Sequence, residues 1–452
     1  VNRVILLGGV TAVAVGACWL LLGPTAGGIA IGVVASVGAT MVFPQVVNVL
    51  RGRRLVSAPG DAPLAAGAAF LVVTCTLTFA IVYFMQPRNI GIQHYRNQSL
   101  TDESGRVQMF AVAYDGRRFL AVGSAAPRAN GGGRYQDAAL WESADGWSWS
   151  RLPHDIPLLG GVAVTGGSAR RQMGDVIATS DGFLIFGFDT VPDGKLHGQT
   201  WKLPRNSRAI QRAEGVKLPA ADWFSGYSRH DDTEILLGGA GGNSVVWRRV
   251  AGGEWSHSIL GLSRAVDASS VRYVNGDWVI AGSDRSSDPD FRPQHSDDAN
   301  RYRRDGAIWM SGDGLQWRKA VGFAGVHGRQ NVGEVAYVRG MWIAVGSDDS
   351  ADPRSNDGAI WASDNGRSWR RVQERSLAGV PEWQQMDGLV EQDDHLLVVG
   401  TASPELGEKS PNAESVAAER LWENGVWRLD LPPRKGVRSW SNTWHRLVTW
   451  LG

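Results

Sequence analysis

The sequence predicts an all-β, six-bladed β-propeller of four-stranded blades, preceded by a transmembrane α-helical segment. Three observations carry this expectation. A Trp-marked unit recurs six times over residues 107–430. Tight-turn dipeptides such as Asp145-Gly146 and Asn275-Gly276 separate the short apolar runs inside the units. The first 88 residues hold three long runs without a single charge. Composition agrees: 57 Gly and 20 Trp in 452 residues, with no three-residue Gly period, fit a turn-rich β fold and exclude collagen.

The apolar runs cover about 4–23, 26–49 and 62–85. Each is long enough to cross the hydrocarbon core as a helix. A signal peptide accounts for the first only. Pro44 and Gln45 interrupt the second, so two spans are the alternative to three. Arg3 precedes the first run, and Arg51, Arg53 and Arg54 lie between the second and third. The positive-inside rule puts the N-terminus and the Arg51–Arg54 loop in the cytoplasm. Three crossings then place the rest of a multi-pass cell-membrane protein on the extracytoplasmic side. Residues 89–106 read as a linker.

Within the repeat, EVAYVRGMWIAVG at 334–346 is followed by DGAIWASDNGRSWRRV at 357–372. VQMFAVAYDGRRFLAVG at 107–123 and DAALWESADGWSWSRL at 137–152 match it, as do 270–282 with 305–319. The unit reads strand, tight turn, strand ending in Gly, long loop, Trp strand, tight turn, Trp strand. Weaker copies supply the markers Trp201, Trp247 and Trp422 beside Trp141, Trp309 and Trp361. Such a unit buries its apolar face only by stacking on neighbours around a ring. A seventh blade from 88–106 or 430–452, or a β-sandwich, is the alternative. Tight turns join the first to the second strand and the third to the fourth. All long loops therefore leave the opposite rim, where binding surfaces are usual.

Ser143-x-Asp145-Gly146-x-x-Trp149, Ser311-x-Asp313-Gly314-x-x-Trp317 and Ser363-x-Asn365-Gly366-x-x-Trp369 resemble the Asp-box turns of the sialidase and BNR-repeat superfamily. They are one residue shorter than the usual box, and Asn365 takes the Asp place. The resemblance implies a propeller and a structural role for the boxes: carboxylate and hydroxyl lock the turn over a packed Trp. It carries no activity. Sialidases of this kind need an arginine triad, a Tyr/Glu nucleophile pair, an acid Asp and an Arg-Ile-Pro motif. That motif is missing, and Phe291-Arg292-Pro293 is only an echo in a long loop. Glu334 begins a strand near the expected channel, but Tyr337 falls on its other face.

Other chemistry is excluded more simply. The 46 basic against 45 acidic residues give no basic excess and no reason to expect nucleic acid. Cys18 and Cys75 are the two cysteines, both in the apolar runs. The histidines are scattered, and no phosphate-binding glycine loop or nucleophile elbow occurs. In the acid-rich loops 282–306 and 346–358, Asp284, Asp288, Asp290 and Asp297, or Asp348, Asp349 and Asp352, offer hard oxygens to Ca²⁺. Ion pairing to Arg292, Arg301 and Arg354 is the competing reading, and no other cofactor is expected. In the tail 431–452, Trp440, Trp444, Leu447, Val448 and Leu451 make one helical apolar face suited to membrane contact; packing on the propeller is the alternative. The functional expectation is a membrane-tethered binding or scaffold module for an envelope protein, peptide or glycan. A sialidase-like glycoside hydrolase and a membrane-complex subunit are the alternatives.

Overall fold

The structure is a computed structural model. It describes residues 90–431 except 97–103, 128–134, 154–157, 161–168, 191–193, 261–264, 287–303, 324–327, 350–355, 373–376, 378–382, 394 and 404–422. The three apolar runs and the tail with Trp440, Trp444, Leu447 and Leu451 lie outside the described residues. No helix among the described residues is long and apolar enough to cross a membrane.

Six four-stranded antiparallel blades follow one another. Strand β1 (Gly91–Arg96) comes first. Blade 1 is β2 (Ser104–Tyr114), β3 (Phe119–Pro127), β4 (Tyr135–Ser143) and β5 (Trp149–Arg151); blade 2 is β6 (Ala169–Thr179), β7 (Gly182–Thr190), β8 (Leu196–Pro204) and β9 (Gln211–Arg212). Blade 3 is β10 (Trp223–His230), β11 (Thr233–Ala240), β12 (Asn243–Val250) and β13 (Ser256–Ile259). Blade 4 is β14 (Val266–Val274), β15 (Asp277–Asp284), β16 (Asp305–Ser311) and β17 (Arg318–Lys319). Blade 5 is β18 (Gln330–Val338), β19 (Met341–Asp348), β20 (Asp357–Ser363) and β21 (Arg370–Arg371). Blade 6 is β22 (Trp383–Gln392), β23 (His395–Ser403) and β24 (Glu423–Asp430), and its fourth strand is β1.

Blade 6 corrects two expectations. Asn424 and Gly425 pair with Thr401 and Gly400 inside β24. Trp427, opposite Val398 and fully buried, takes the marker place expected of Trp422, which lies outside the described residues. The outer edge of β24 is then covered by β1 in register Gly91↔Asp430 to Arg96↔Gly425. Residues 91–96 of the expected linker thus close the ring, joining the start of the propeller to its last blade.

Apolar packing closes it as well. Each of the six blade junctions has its own buried cluster. At the closing junction, Leu397, Val399 and Val426 of blade 6 pack on Met109, Phe119 and Trp141 of blade 1. At the blade 5–6 junction, Ile343 and Ile360 meet Met386 and Trp427. The second strands are apolar on every position because both faces meet a neighbour; all eight residues of β19 are buried.

One irregularity repeats in every blade and shapes the centre. Each innermost strand carries a β-bulge near its start, with Phe110, Gly174, Ser225, Ser269, Gly333 and Asp387 as the extra residues. The bulge turns the carbonyl two residues before it toward the second strand, onto a glycine of that strand. A Cβ on Gly123 would overlap the Gln108 carbonyl oxygen, and one on Gly346 would overlap that of Asn331. This is why every unit carries Gly there, although each second strand runs two to four residues past it instead of ending at it.

Candidate functional site

All six bulge residues line one central cavity of about 680 Å³. Its walls are the starts of the innermost strands, the ends that follow the long interblade connections. Residues two positions before the bulge add Gln172, Trp223, Asp267, Asn331 and Gln385. Trp223 lies over Gly239, where any side chain would occupy its ring. Phe110 and Phe188 add apolar surface, and Gln330 and Asn356 further amides.

At the floor sits an ion cluster. Asp175 and Glu334, each one residue past a bulge, are 1% exposed. Arg272, on blade 4, reaches past blade 3 to Asp175 through Nη2 to Oδ1 at 2.7 Å and Nη1 to Oδ2 at 3.0 Å. Its Nε lies 2.6 Å from Glu334 Oε1, without hydrogen-bond alignment. The Val176 and Tyr227 N–H groups also donate to Asp175, both at 2.8 Å. The Leu389 N–H donates to Glu334 Oε2 at 2.9 Å. One guanidinium and its two carboxylates therefore join blades 2 to 6. Burial opposes charge on Arg272, but Asp175 and Glu334 outweigh it and hold the guanidinium ionised. Burial drives Glu334 up to about 7 against the pull of Arg272, and Asp175 adds to the rise.

Asp387 is the second unusual carboxyl. Gln385 Nε2 donates to its Oδ1 at 2.5 Å, and Oδ2 is buried with no partner. Burial pushes it up to about 7 despite that hydrogen bond. At the mouth, Arg304 faces Asp267 at 3.5 Å and Arg329 Nε pairs with Asp349 at 2.7 Å. Arg304 is held below its usual range by burial, against Asp267 and with help from Arg285 and Arg329.

The acids read as candidate Ca²⁺ ligands lie elsewhere. Asp284, at the end of β15, pairs with Lys319 Nζ at 2.8 Å, which holds it below the ordinary range although burial pulls it up. Asp348, at the end of β19, pairs with Arg371 at 3.3 Å. Asp189 pairs with Arg212 at 2.8 Å in the same place of blade 2. In each case the cation stands on the outermost strand opposite the marker Trp, and Arg212 and Arg371 also lie over Trp201 and Trp361. These ladders tie the second strand to the fourth across the blade. Asp288, Asp290, Asp297 and Asp352 lie outside the described residues. Among the described residues no three His, Cys, Asp or Glu side chains are arranged to hold a metal ion.

The box turns are built alike. Ser143 Oγ donates to Asp145 Oδ1 and accepts the Gly146 N–H; Asp145 Oδ1 accepts the Trp147 and Ser148 N–H groups at 2.8 and 2.7 Å. Ser311 and Asp313 repeat this around Gly314, and Ser363 and Asn365 around Gly366. The Gln316 and Leu315 N–H groups hold Asp313 at about 2. Trp149 and Trp369 donate from Nε1 to the Gly146 and Gly366 carbonyls, whereas Trp317 Nε1 makes no such bond. A Tyr/Glu pair also exists: the Tyr227 hydroxyl donates to Glu234 at 2.9 Å. It is stacked on Phe186 between blades 2 and 3, and Arg249 already pairs with Glu234. Burial and Glu234 push the phenol up, the wrong direction for a nucleophile.

The sequence matches no described protein family and no curated protein. Among solved structures the chain is similar in fold to sialidase-like and related glycoside hydrolase propellers. Trypanosoma rangeli sialidase in complex with 2,3-difluorosialic acid shares 9% identity at a TM-score of 0.49, over 76% of this chain and 59% of that one. The present chain thus spans less than two thirds of that sialidase. The GH43 endo-arabinanase from Bacillus licheniformis aligns at 12% identity and a TM-score of 0.36, over 60% of this chain and 98% of its own. The catalytic domain of Coprinopsis cinerea GH62 α-L-arabinofuranosidase aligns at 11% identity and 0.37, over 76% and 98%.

Proposed function

We propose that this chain is a glycan-binding propeller, tethered to the membrane by residues 1–88 and presenting its central cavity on the extracytoplasmic side. The observation that carries the binding reading is the cavity's wall. Trp223 offers an aromatic face, and Gln172, Asn331, Asn356 and Gln385 offer planar amides. An apolar platform beside fixed polar pairs is what a polyhydroxylated ring requires of a site. The tether rests on the three uncharged runs of the sequence.

Binding is favoured over hydrolysis by the state of the carboxyls. Glycosidic cleavage uses two carboxyl groups, one to protonate and one to attack or activate water. Asp175 already accepts four hydrogen bonds. Both Glu334 oxygens face partners. Among the described cavity carboxyls that are at least partly buried, only Asp387 keeps an oxygen without a neighbour.

A glycan array probed with the full-length protein and its Trp223→Ala variant tests the reading. Retention of particular glycans by the first and loss by the second is expected. Equal retention by both, or capture of peptides in place of glycans, would reject the cavity as a glycan site.

A further inference from the structure

Blade 3 departs from the repeat along its outer side. In blades 2, 4 and 5 a cation of the outermost strand stands opposite the marker Trp and pairs with an Asp two residues past the glycine that faces the bulge. The pairs are Arg212 with Asp189, Lys319 with Asp284 and Arg371 with Asp348. In blade 3 the residue opposite Trp247 is His257, and Ala240 holds the Asp place. His94 of blade 6 also replaces a cation, but it stacks on Trp427 with ring centres 4.9 Å apart. His257 is exposed instead.

The turn between the last two strands of blade 3 departs as well. Trp255 follows its marker by eight residues, as Trp149 and Trp369 do. Those two are 5% exposed and donate to the carbonyl of the turn glycine. In blade 3 Arg249 and Ala251 stand where the box has Ser and Asp. Trp255 Nε1 donates to the Lys217 carbonyl at 2.9 Å, and the Arg249 guanidinium lies 4.4 Å from the ring centre. Glu234, itself buried, holds Arg249 at 2.5 Å. The ring is thus fixed at its edge and on one face, yet it stays partly exposed.

These departures open a groove of about 360 Å³ between the outer part of blade 3 and the connection from blade 2. Trp247 lies at its base, and Pro219, Trp255, His257 and Ile259 stand around it. Its lining carries no Asp, Glu, Lys or Arg, whereas seven such side chains line the central cavity. The two sites meet on one rim. Pro219 and Ala220 wall the groove, and Trp223 of the same segment lines the cavity. From Pro219 to Trp223 the chain spans at most about 14 Å. Backbone bonds from Gly198 to Ala221 and from Asp222 to Gly239 hold that segment in place.

We propose that the outer groove of blade 3 binds an uncharged sugar ring, as a second subsite for an oligosaccharide held at Trp223. This rests on the central cavity being a glycan site. A groove without charges takes a neutral ring at little desolvation cost and opposes an ionic one. The Trp255 N–H is already engaged by Lys217, so the indole has no donor left for a peptide carbonyl and offers only its open face. A fixed aromatic face beside the polar tips of Asn243 and His257 suits a ring that is apolar on its faces and polar at its edge. Two subsites on one rigid blade make affinity depend on chain length.

The test is titration of the full-length protein with cellohexaose, xylohexaose, mannohexaose and chitohexaose and with the matching disaccharides. Hexagalacturonate and decaproline are the charged and peptide probes. At least one neutral hexamer should bind at least about tenfold more tightly than its disaccharide. Trp255→Ala should remove that advantage and leave the disaccharide unchanged. Joint Ala240→Asp and His257→Arg substitution gives a second reading that does not remove a Trp. It supplies the ion pair of blades 2, 4 and 5 across Trp247, fills the groove from within, and should lower hexamer affinity to the same level without lowering the thermal midpoint. The proposal falls if no neutral hexamer outbinds its disaccharide, or if neither variant weakens hexamer binding. It falls too if hexagalacturonate binds as tightly as the neutral hexamers, or if decaproline binds and depends on Trp255. Disaccharide binding that needs Trp223, with no hexamer advantage, would keep the cavity reading and refute the groove. Hexamer binding that needs Trp255 and ignores Trp223→Ala would uphold the groove as a sugar site and refute the cavity reading.

Discussion

Replacing Asp387 with Asn should make the protein more stable, and only above a definite pH. The Asp387 carboxyl rises from an ordinary 3.8 to about 7 because it is buried with one hydrogen bond and no cation. Below about pH 4 the group is protonated in both folded and unfolded chains and has no effect. Between about 4 and 7 the unfolded chain has released the proton and the folded chain has not. Unfolding then becomes easier by about 1.4 kcal/mol for each pH unit. Above about 7 both states are ionised and the penalty stays near its full value, about 4 kcal/mol. Local relaxation and water entry reduce this to about 2–4 kcal/mol. Asn has the same shape, keeps an acceptor for Gln385 and never ionises. Urea unfolding of the full-length protein in detergent, followed by tryptophan fluorescence, gives both stabilities. They should coincide at pH 4 and diverge steadily to pH 7, with the variant ahead by about 2–4 kcal/mol at pH 8. Parallel pH profiles, or a less stable variant at pH 8, would show that Asp387 has a compensating partner and would remove the ground for an uncompensated carboxyl.

Arg272→Met should destabilise by about 3–5 kcal/mol in the same assay, because Asp175 and Glu334 remain buried without their cation. Adding Asp175→Asn and Glu334→Gln should recover much of that loss. Gly346→Ala forces a methyl onto the Asn331 carbonyl and should cost about 3 kcal/mol or more, read as a lowered thermal midpoint. Ser311→Ala leaves the buried Gly314 N–H without its acceptor and should cost about 1–2 kcal/mol, with ligand binding unaffected.

The repeat made the blades legible, because each repeated residue type answers a local need. Asn275-Gly276 and Arg339-Gly340 both adopt positive φ, as their hairpins require. The marker Trps pack into interblade clusters, and the Asp-Gly boxes lock turns. What the repeat concealed was the closure: Asn424-Gly425 has the chemistry of a turn but lies within a strand, and β1 pairs across more than 320 residues of chain. No local pattern announces a partner at that separation. The site was hidden for the opposite reason. Aligned at the bulge, the units read MFAV at 109–112, MGDV at 173–176, FSGY at 224–227, ASSV at 268–271, VGEV at 332–335 and MDGL at 386–389. Asp175, Glu334 and Asp387 depart from the repeat in these columns, and Arg272 departs in the next. A search for the common pattern passes over its exceptions. Glu334 stands out only by its place on a strand, and its partners come from blades four and six.

Ring closure does not need these exceptions. The six apolar junctions and the β1–β24 pairing close the propeller, and blade 1 meets its neighbours with Phe110 and Ala111 in the same columns. A chain folded only for stability would carry small or apolar residues at all six bulges. Instead Glu334 and Asp387 each weaken the folded state at neutral pH, and both do so at the central cavity. The acids of the box turns and of the Asp284 and Asp348 ladders, by contrast, are partnered and lie away from that cavity. These acids lower the free energy of the folded chain by themselves, whereas the central carboxyls raise it.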